Sequence, residues 1–270
     1  MTTPQNGIIT TDISGLGSED YLFSVTLQPD GKIIAAGASD GNFALVRYNS
    51  NGSLDTSFDS DGKIITDFGS SDDSAYSIIL QPDGKLVAAG SSSGFTVARY
   101  NTDGSLDTSF SEDGKVITSI DVSSSAYSLT LQFDGKLVVV GHSQNRQSPV
   151  SSFDSDFAVV RYNADGSLDT SFSDDGKVVT GIITTAFDSS NRDDDQASAH
   201  SVFLLPDGKL LVMGDSRWGG AFVRFNSDGS LDSSFGFNGR VTTSNTPSRS
   251  PIFQINGKIV AVGSTENHDF

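Results

Sequence analysis

The chain has 270 residues, of which 36% are hydrophobic, and its 34 acidic and 17 basic residues give a formal net charge of −17 at pH 7. Because nucleic-acid binding needs Lys and Arg to neutralise phosphates, this charge argues against a nucleic-acid partner. No apolar run approaches the ~18–20 residues of a membrane-spanning helix, so we expect no membrane insertion. Cysteine is absent, which excludes disulfides and thiolate chemistry.

The first predicted element is a strand at residues 7–13, whose sequence matches residues 62–68. Short strands in units of four follow it along the chain. In the second unit they are predicted at residues 77–80, 85–89, 95–100 and 115–120. The first two strands of this unit flank a Pro-Asp-Gly turn, in which glycine can take a positive φ, so they form a hairpin. No segment has a 3.6-residue apolar period over a useful length, and the fold class is therefore all-β.

The chain is built from an internal repeat. The hairpin sequence at residues 24–37 returns at residues 77–90, 128–141, 201–214 and 251–263. Four-stranded units of ~50 residues favour a β-propeller, in which small twisted sheets pack face to face. The approximate units are residues 14–68, 69–120, 121–182, 183–244, and 245–270 together with 1–13.

We therefore predict a single domain over residues 1–270 with five blades of four antiparallel strands. The last unit stops where its third strand should begin, and residues 7–13 would supply its fourth strand and close the ring. The alternative is that the chain is part of a longer propeller. We expect a monomer or a module of a larger chain.

Two motifs carry a family resemblance. They are Leu-Gln-Pro-Asp-Gly-Lys, at residues 27–32, and Arg-Tyr-Asn-x-Asp-Gly-Ser-Leu-Asp-Thr-Ser-Phe, at residues 99–110. Both resemble the delta-60 repeat family, a bacterial family expected to form β-propellers and found mostly in large surface or secreted proteins. The resemblance implies an extracellular or cell-surface location, although no signal peptide is visible at the start of the chain. It implies no particular activity.

Two long insertions, at residues 144–156 and 184–200, are predicted to lie on the same face of the propeller. Loops that vary on a constant scaffold are the usual binding surfaces of repeat proteins. The candidate ligand-binding residues of this face are His142, Arg146, Asp193, Asp194, Asp195, His200, Arg217 and Trp218. Trp218 would offer a stacking surface. The alternative is a pair of solvated, charged loops. The histidines lack the short spacing of a zinc site.

A second candidate site recurs in the Asn-x-Asp-Gly-Ser-Leu-Asp loops, which place oxygen side chains around a glycine, as a calcium site requires. The candidate ligands are Asn49, Asn51 and Asp55; Asn101, Asp103 and Asp107; Asn163, Asp165 and Asp169; and Asn226, Asp228 and Asp232. The loops lack the bidentate Glu of an EF-hand. In the structural alternative, the Asn and Asp side chains cap their own turns. Calcium is the one cofactor that the sequence suggests.

The arginines Arg47, Arg99, Arg161 and Arg224 recur at equivalent positions, so we expect each to pair with a carboxylate of its blade. No nucleophile elbow, P-loop or dinucleotide fingerprint is present, which argues against an enzyme without excluding one. The function that we predict is a non-catalytic binding or scaffold module with a glycan, peptide or protein ligand. The alternative is a propeller hydrolase or lyase that acts on a carbohydrate or another small molecule.

Overall fold

A computed structural model describes residues 7–15, 17–144, 155–182, 197–216, 219–243, 246–247, 252–253, 258–260 and 263–264. Over these residues the chain is all-β, and no helix there is long and apolar enough to cross a membrane. The chain divides into two compact units. Unit 1 comprises residues 1–119 and 164–167, and unit 2 comprises residues 120–163 and 168–270.

Unit 1 contains two antiparallel four-stranded sheets, blades 1 and 2, in which each strand pairs with the next along the chain. Blade 1 consists of β1 (Asp20–Leu27), β2 (Ile33–Ser39), β3 (Asn42–Tyr48) and β4 (Lys63–Thr66). Blade 2 consists of β5 (Ser74–Leu80), β6 (Leu86–Ser91), β7 (Phe95–Tyr100) and β8 (Lys115–Thr118). The core of unit 1 lies between the two sheets, where Phe43 and Leu45 of blade 1 pack with Ile78 and Ala98 of blade 2.

Unit 2 repeats this arrangement in blades 3 and 4. Blade 3 consists of β9 (Ser123–Leu131), β10 (Leu137–Gln144), β11 (Ser155–Tyr162) and β12 (Lys177–Thr180). Blade 4 consists of β13 (Ser198–Leu204), β14 (Leu210–Ser216), β15 (Gly219–Phe225) and β16 (Arg240–Thr243). Val140 and Phe157 of blade 3 share a buried core with Val202 and Val212 of blade 4.

The predicted hairpins are confirmed in all four blades. In blade 2, Gln81 N donates to Lys85 O over 2.8 Å and Gly84 N donates to Gln81 O over 2.9 Å. Gly84 has a φ of +87°, which only glycine adopts without strain. The Asp83 carboxylate accepts a hydrogen bond from Lys85 N, so the Pro-Asp-Gly sequence closes the turn with its own groups.

A β-bulge interrupts the first strand of every blade, where one residue has no partner in the register of the hairpin. The bulged residues are Phe23, Tyr76, Tyr127 and His200. A glycine of the second strand lies against each bulge. These glycines are Gly37, Gly90, Gly141 and Gly214. A Cβ atom at Gly141 would lie 1.8 Å from the backbone oxygen of Ser125, so only glycine fits beside the bulge.

The prediction of five blades is wrong for the described residues, which form four four-stranded sheets. After blade 4 they form two short antiparallel pairs, within the predicted fifth unit. The paired strands are β17 (Thr246–Pro247) with β20 (Gly263–Ser264), and β18 (Ile252–Phe253) with β19 (Ile259–Val260).

Residues 7–13 are part of none of the strands β1–β20, in contrast to the prediction. They nevertheless contact blade 1 in the same way that β4, the fourth strand of blade 1, contacts blade 2. The Thr11 and Tyr48 hydroxyls are 2.7 Å apart, and the equivalent Thr66 and Tyr100 hydroxyls are 2.8 Å apart. The N-terminal segment therefore has the side-chain contacts of a fourth strand without its regular pairing.

Candidate functional site

Each blade carries a cluster of charged residues around one buried carboxylate. In blade 1 the Arg47 Nε atom donates to Asp55 Oδ2 over 2.7 Å, and the Lys32 Nζ atom lies 2.9 Å from the same oxygen. The backbone N and the Oγ of Ser57 donate to the other oxygen, Oδ1. The Arg47 guanidinium also lies 4.3 Å from the centroid of the Phe58 ring. We call this arrangement the repeated cluster.

The repeated cluster is present in all four blades with the same partners. Its central pairs are Arg47 with Asp55, Arg99 with Asp107, Arg161 with Asp169, and Arg224 with Asp232, at 2.6–2.7 Å. The prediction that each repeated arginine pairs with a blade carboxylate is confirmed. Burial by itself would raise the pKa of Asp107, but the hydrogen bonds from Lys85 and Ser109 outweigh it and hold that pKa well below its ordinary value.

The cluster also joins one repeat to the next. The Arg47 Nη1 atom donates to the backbone oxygen of Thr102 over 2.6 Å, and Arg99 makes the same bond to the oxygen of Ala164. Phe58 is fully buried against Gly104, where a Cβ atom would lie 3.1 Å from the phenyl ring. These contacts explain why the arginine, the aspartate and the phenylalanine recur together in the sequence. The role that they support is structural.

In the candidate calcium loops, the polar side chains form hydrogen bonds to groups of their own loop. The Asn51 Oδ1 atom accepts hydrogen bonds from the backbone N and the Oγ of Ser53, and the Asn49 amide donates to Ser53 Oγ and to Leu54 O. Asp55 is the carboxylate of the repeated cluster and already binds two cationic side chains. No group of three or more His, Asp or Glu residues in the described part of the chain is arranged to hold a metal ion. These contacts favour self-capped turns, and calcium binding stays a prediction.

The same contacts recur in the other three loops. Asp103, Asp165 and Asp228 stand where blade 1 has Asn51, and each accepts from the serine two residues later. The hydrogen bonds from Ser105 hold the pKa of Asp103 below its ordinary value. Asn101, Asn163 and Asn226 each donate to a backbone oxygen of their own loop, as Asn49 does.

Among the described residues, unit 2 has a different arrangement, in which four side chains from four strands contact one another in succession. The rings of His142 (β10) and Tyr127 (β9) stack with centroids 5.5 Å apart, and Tyr127 also contacts the ring of His200 (β13) at 5.5 Å. The His200 Nε2 atom lies 2.9 Å from Asp215 Oδ2 on β14. We call these four residues the histidine line.

The repeat itself explains how the histidine line is positioned. Tyr127 and His200 are the bulged residues of their first strands, and a bulge re-aims the side chain that it carries. His142 and Asp215 each follow the glycine that lies against a bulge. In blades 1 and 2 the positions equivalent to His142 are held by Ala38 and Ser91, and those equivalent to His200 by Phe23 and Tyr76. The polar character of the line is therefore a departure from the repeat.

The environment of the His142 imidazole disfavours its charged form. Its Nδ1 atom is buried and has no hydrogen-bond partner. Burial lowers the pKa of His142, and the nearby His200 ring lowers it further. His200 is mostly buried and has the Asp215 carboxylate as its partner, whereas the Asp215 side chain is 39% exposed. The exposed end of the line is therefore acidic, and the buried end is a neutral imidazole.

The structure describes two of the eight predicted ligand-binding residues, His142 and His200, and it brings both into contact with Tyr127. The other six lie outside the described residues. They are Arg146, Asp193, Asp194, Asp195, Arg217 and Trp218. His142 lies three residues before the undescribed segment 145–154, and His200 lies four residues after the undescribed segment 183–196. Sequence analysis missed Tyr127 and Asp215. Comparison of equivalent repeat positions could have found Asp215, whereas Tyr127 is the same residue type as Tyr76 of blade 2.

A cleft of about 990 Å³ in unit 1 is a second place where a ligand could lie. Its polar lining includes Thr11, Asp20, Tyr48 and Lys63. Asp20 accepts hydrogen bonds from Ile13 N, Ser18 and Ser39, and Thr11 bonds to Tyr48, so these groups hold the N-terminal segment in place. The lining therefore supports a structural role.

Comparisons with known proteins support a β-propeller repeat family. Four stretches, residues 28–58, 81–110, 132–172 and 205–235, match the family described as "Domain of unknown function (DUF5122) beta-propeller". Each stretch runs from the hairpin turn to the phenylalanine three residues after the Gly-Ser-Leu-Asp motif. No curated protein matches the chain.

Solved structures show the same fold at low sequence identity. A protein of unknown function from Bacteroides caccae is 15% identical with a TM-score of 0.52, over 94% of this chain and 73% of its own. One from Dyadobacter fermentans is 11% identical with a TM-score of 0.55, over 88% and 73%. Virginiamycin B lyase from Staphylococcus aureus is 10% identical with a TM-score of 0.52, over 92% and 68%. The four-stranded antiparallel sheets are thus consistent with a β-propeller, and at these identities the likeness concerns the fold alone.

Proposed function

We propose that the chain is a non-catalytic ligand-binding β-propeller module whose ligand docks at the histidine line, on the face that carries the two insertions. The observation that carries this proposal is the departure from the repeat at His142, His200 and Asp215, the first two of which meet on the Tyr127 ring. Residues that recur in every blade maintain the sheets, whereas a set that occurs once has another reason to exist. The line also lies at the strand ends next to both insertions, where repeat proteins vary their binding loops.

The chemistry of the line favours a polar, uncharged or cationic ligand. The partly exposed Asp215 carboxylate accepts hydrogen bonds, and the net charge of −17 repels anions. Hydroxyl and amide groups of a glycan or a peptide meet these requirements. The motifs at the turns support a finer assignment to the delta-60 repeat family. That family in turn implies a location at the cell surface or outside the cell. Arg146, Asp193, Asp194, Asp195, Arg217 and Trp218 would complete the site from the insertions and the loop after β14.

The same proposal gives residues 7–13 the role of an outer strand for a further sheet beside blade 1. Two observations support this role. The Thr11–Tyr48 contact repeats the Thr66–Tyr100 contact, in which Thr66 belongs to a fourth strand. Val25 on β1 is 67% exposed, whereas the equivalent residue of blade 2, Ile78, is 5% exposed because blade 1 covers it. A sheet placed on this face would bury Val25 as the repeat predicts.

The experiment that tests the binding proposal uses the repeat as its source of substitutions. His142→Ser and His200→Tyr introduce the residues that blade 2 already tolerates at the same positions. We expect the double variant to fold and to lose retention on glycan and peptide arrays by at least about tenfold, which corresponds to ~1.4 kcal/mol. The matched control is Tyr76→Phe, which introduces the residue of blade 1 and should bind as the parent does. Unchanged retention by the double variant would contradict the proposal.

One observation favours an enzyme as the second candidate. A histidine held by a carboxylate at 2.9 Å, as His200 is by Asp215, is an arrangement in which the imidazole can act as a general base. A hydrolase or lyase acting on a carbohydrate or another small molecule would use it in this way. Product formation from an array hit, abolished by His200→Tyr, would replace the binding proposal with this one.

A further inference from the structure

In the described part of the chain, the histidine line places two imidazoles against one phenol ring, and its one carboxylate, Asp215, is the partner of His200. We propose that this line is an acid-sensitive switch, in which protonation of His142 separates the two histidines and loosens the ends of β10 and β13 that adjoin the insertions. If the proposed function is right, acidification would also release the ligand, because the same residues form its site.

The geometry allows one added proton but opposes a second. His142 and His200 both have ring centroids 5.5 Å from that of Tyr127. One imidazolium against a phenol ring gains a cation–π attraction, and His200 also has Asp215 as a counter-charge. Within the described ranges, His142 has no carboxylate partner, and its buried Nδ1 has no hydrogen bond. Two imidazolium groups on the same ring would repel each other, and Asp215 is the one carboxylate of the described residues that partners either of them.

The other titratable groups around His142 do not relieve this repulsion. In the described part of the chain, β9 contributes Tyr127, β13 contributes His200 and β14 contributes Asp215 to this face. The next residue of β10, Ser143, points to the opposite face of the sheet. There Ser143 Oγ donates to Asp121 Oδ2 over 2.8 Å, and Asp156 is its partner in β11. Both carboxylates therefore serve the other side of the sheet.

The direction of the pH effect follows from the pKa of His142, which burial and His200 lower below its ordinary value of 6.5. A group whose pKa is lowered in the folded state contributes stability above its unfolded pKa. That contribution falls as pH drops through the folded value. The switch therefore acts below about pH 6.5. It is separate from the repeated cluster, whose carboxylates titrate at much lower pH.

The test compares thermal unfolding of the full chain and of His142→Ser between pH 7.5 and pH 5. We expect the midpoint of the parent to fall more steeply with acid, so that the difference between the two curves grows by about 2–4 °C, the effect of ~1 kcal/mol in a domain of this size. Fluorescence gives a local readout, since the only tryptophan, Trp218, is three residues from Asp215 in the sequence. Its emission should change over the same pH range in the parent and not in the variant. Parallel unfolding curves would overturn the switch.

A second measurement covers the case in which His142→Ser does not fold. Nuclear magnetic resonance of the imidazole rings follows the ionisation of the three histidines in the unchanged protein. The switch requires one ring to titrate clearly below the ordinary range, with chemical-shift changes in Tyr127. Ordinary titration of all three rings would overturn it. Neither measurement needs a ligand. If the switch is observed but no ligand is found on the arrays, only the binding proposal is contradicted.

Discussion

The repeated cluster and the histidine line both bury ionisable side chains, but they do so in opposite ways. The carboxylate of the cluster accepts hydrogen bonds at both oxygens in every blade, from an arginine, a lysine and a serine. In the residues that the structure describes, the line occurs once, its His142 Nδ1 atom has no partner, and its one carboxylate is partly open to solvent. The cluster is thus closed and complete, whereas the line has unmet hydrogen-bonding capacity.

The difference shows how a repeat protein separates stability from function. Contacts that join one blade to the next must be present at every junction, so their residues recur with the repeat. A binding site needs asymmetry, because one ligand meets one part of the molecule. In this chain the asymmetry arises by substitution at positions that the fold already orients through a bulge. The scaffold therefore needs no new backbone geometry to build the site.

The largest effect that we expect comes from breaking the repeated cluster. In Asp107→Ala, the buried Arg99 and the adjacent Lys85 lose their carboxylate, and an unpaired buried charge costs about 3–5 kcal/mol. Urea denaturation followed by circular dichroism measures this loss in the free energy of unfolding. The control is Asp103→Ala, four residues away on an exposed turn, which should cost much less. Equal losses in the two variants would show that the cluster has no special role.

The second prediction separates the two sites by pH. The folded pKa of Asp107 is lowered, so its contribution to stability is present above the unfolded value of ~3.9 and is lost as pH falls below it. Asp107→Asn lacks this contribution at every pH. We expect the advantage of the parent over Asp107→Asn to shrink by about 2 kcal/mol between pH 5 and pH 2.5. A constant difference over that range would contradict the assignment.

The third prediction is a small effect at the histidine line. His142→Ser at pH 7.5 removes ring contacts with Tyr127, but it also removes a buried nitrogen that has no partner. Because the two terms oppose each other, we expect the free energy of unfolding to change by less than about 1 kcal/mol. Urea denaturation under the conditions used for Asp107→Ala allows direct comparison. A loss as large as that of Asp107→Ala would make the line a structural element.

Much of this structure could be predicted because the repeat imposes it locally. The Pro-Asp-Gly turns, the four strands of each unit and the arginine–carboxylate pairs follow from short motifs. Leu54 and Phe58 recur because the first packs partly under its blade and the second is fully buried. A pattern seen several times in one chain reports on residues close in sequence. Their contacts could therefore be predicted from the sequence.

The rest depends on contacts that no local pattern encodes. A bulge adds one unpaired residue to a strand, and the two-residue period alone does not reveal it. His200 was predicted as a binding residue without its bulge, and Tyr127 was missed. The contact between them joins residues 73 positions apart in the sequence, in different blades. The five-blade count was wrong for the described residues because the hairpin of the fifth unit and residues 7–13 were predicted to form one blade, whereas the described part of that hairpin forms two short strand pairs and residues 7–13 belong to no strand. Repetition identifies units, but pairing decides how many become complete sheets.

The smallest effect that we predict concerns calcium at the Asn-x-Asp-Gly-Ser-Leu-Asp loops. An ion would have to displace Ser53 from Asn51 and compete with Arg47 and Lys32 for Asp55. Since a ligand raises the unfolding midpoint only when it binds the folded state, such occupied side chains leave little to gain. We expect the midpoint with calcium and with chelator, at matched ionic strength, to agree within about 1 °C. A rise of several degrees would mean that the loops rearrange around the ion. The cluster carboxylates would then have two roles, and recurrence would no longer separate stability from function.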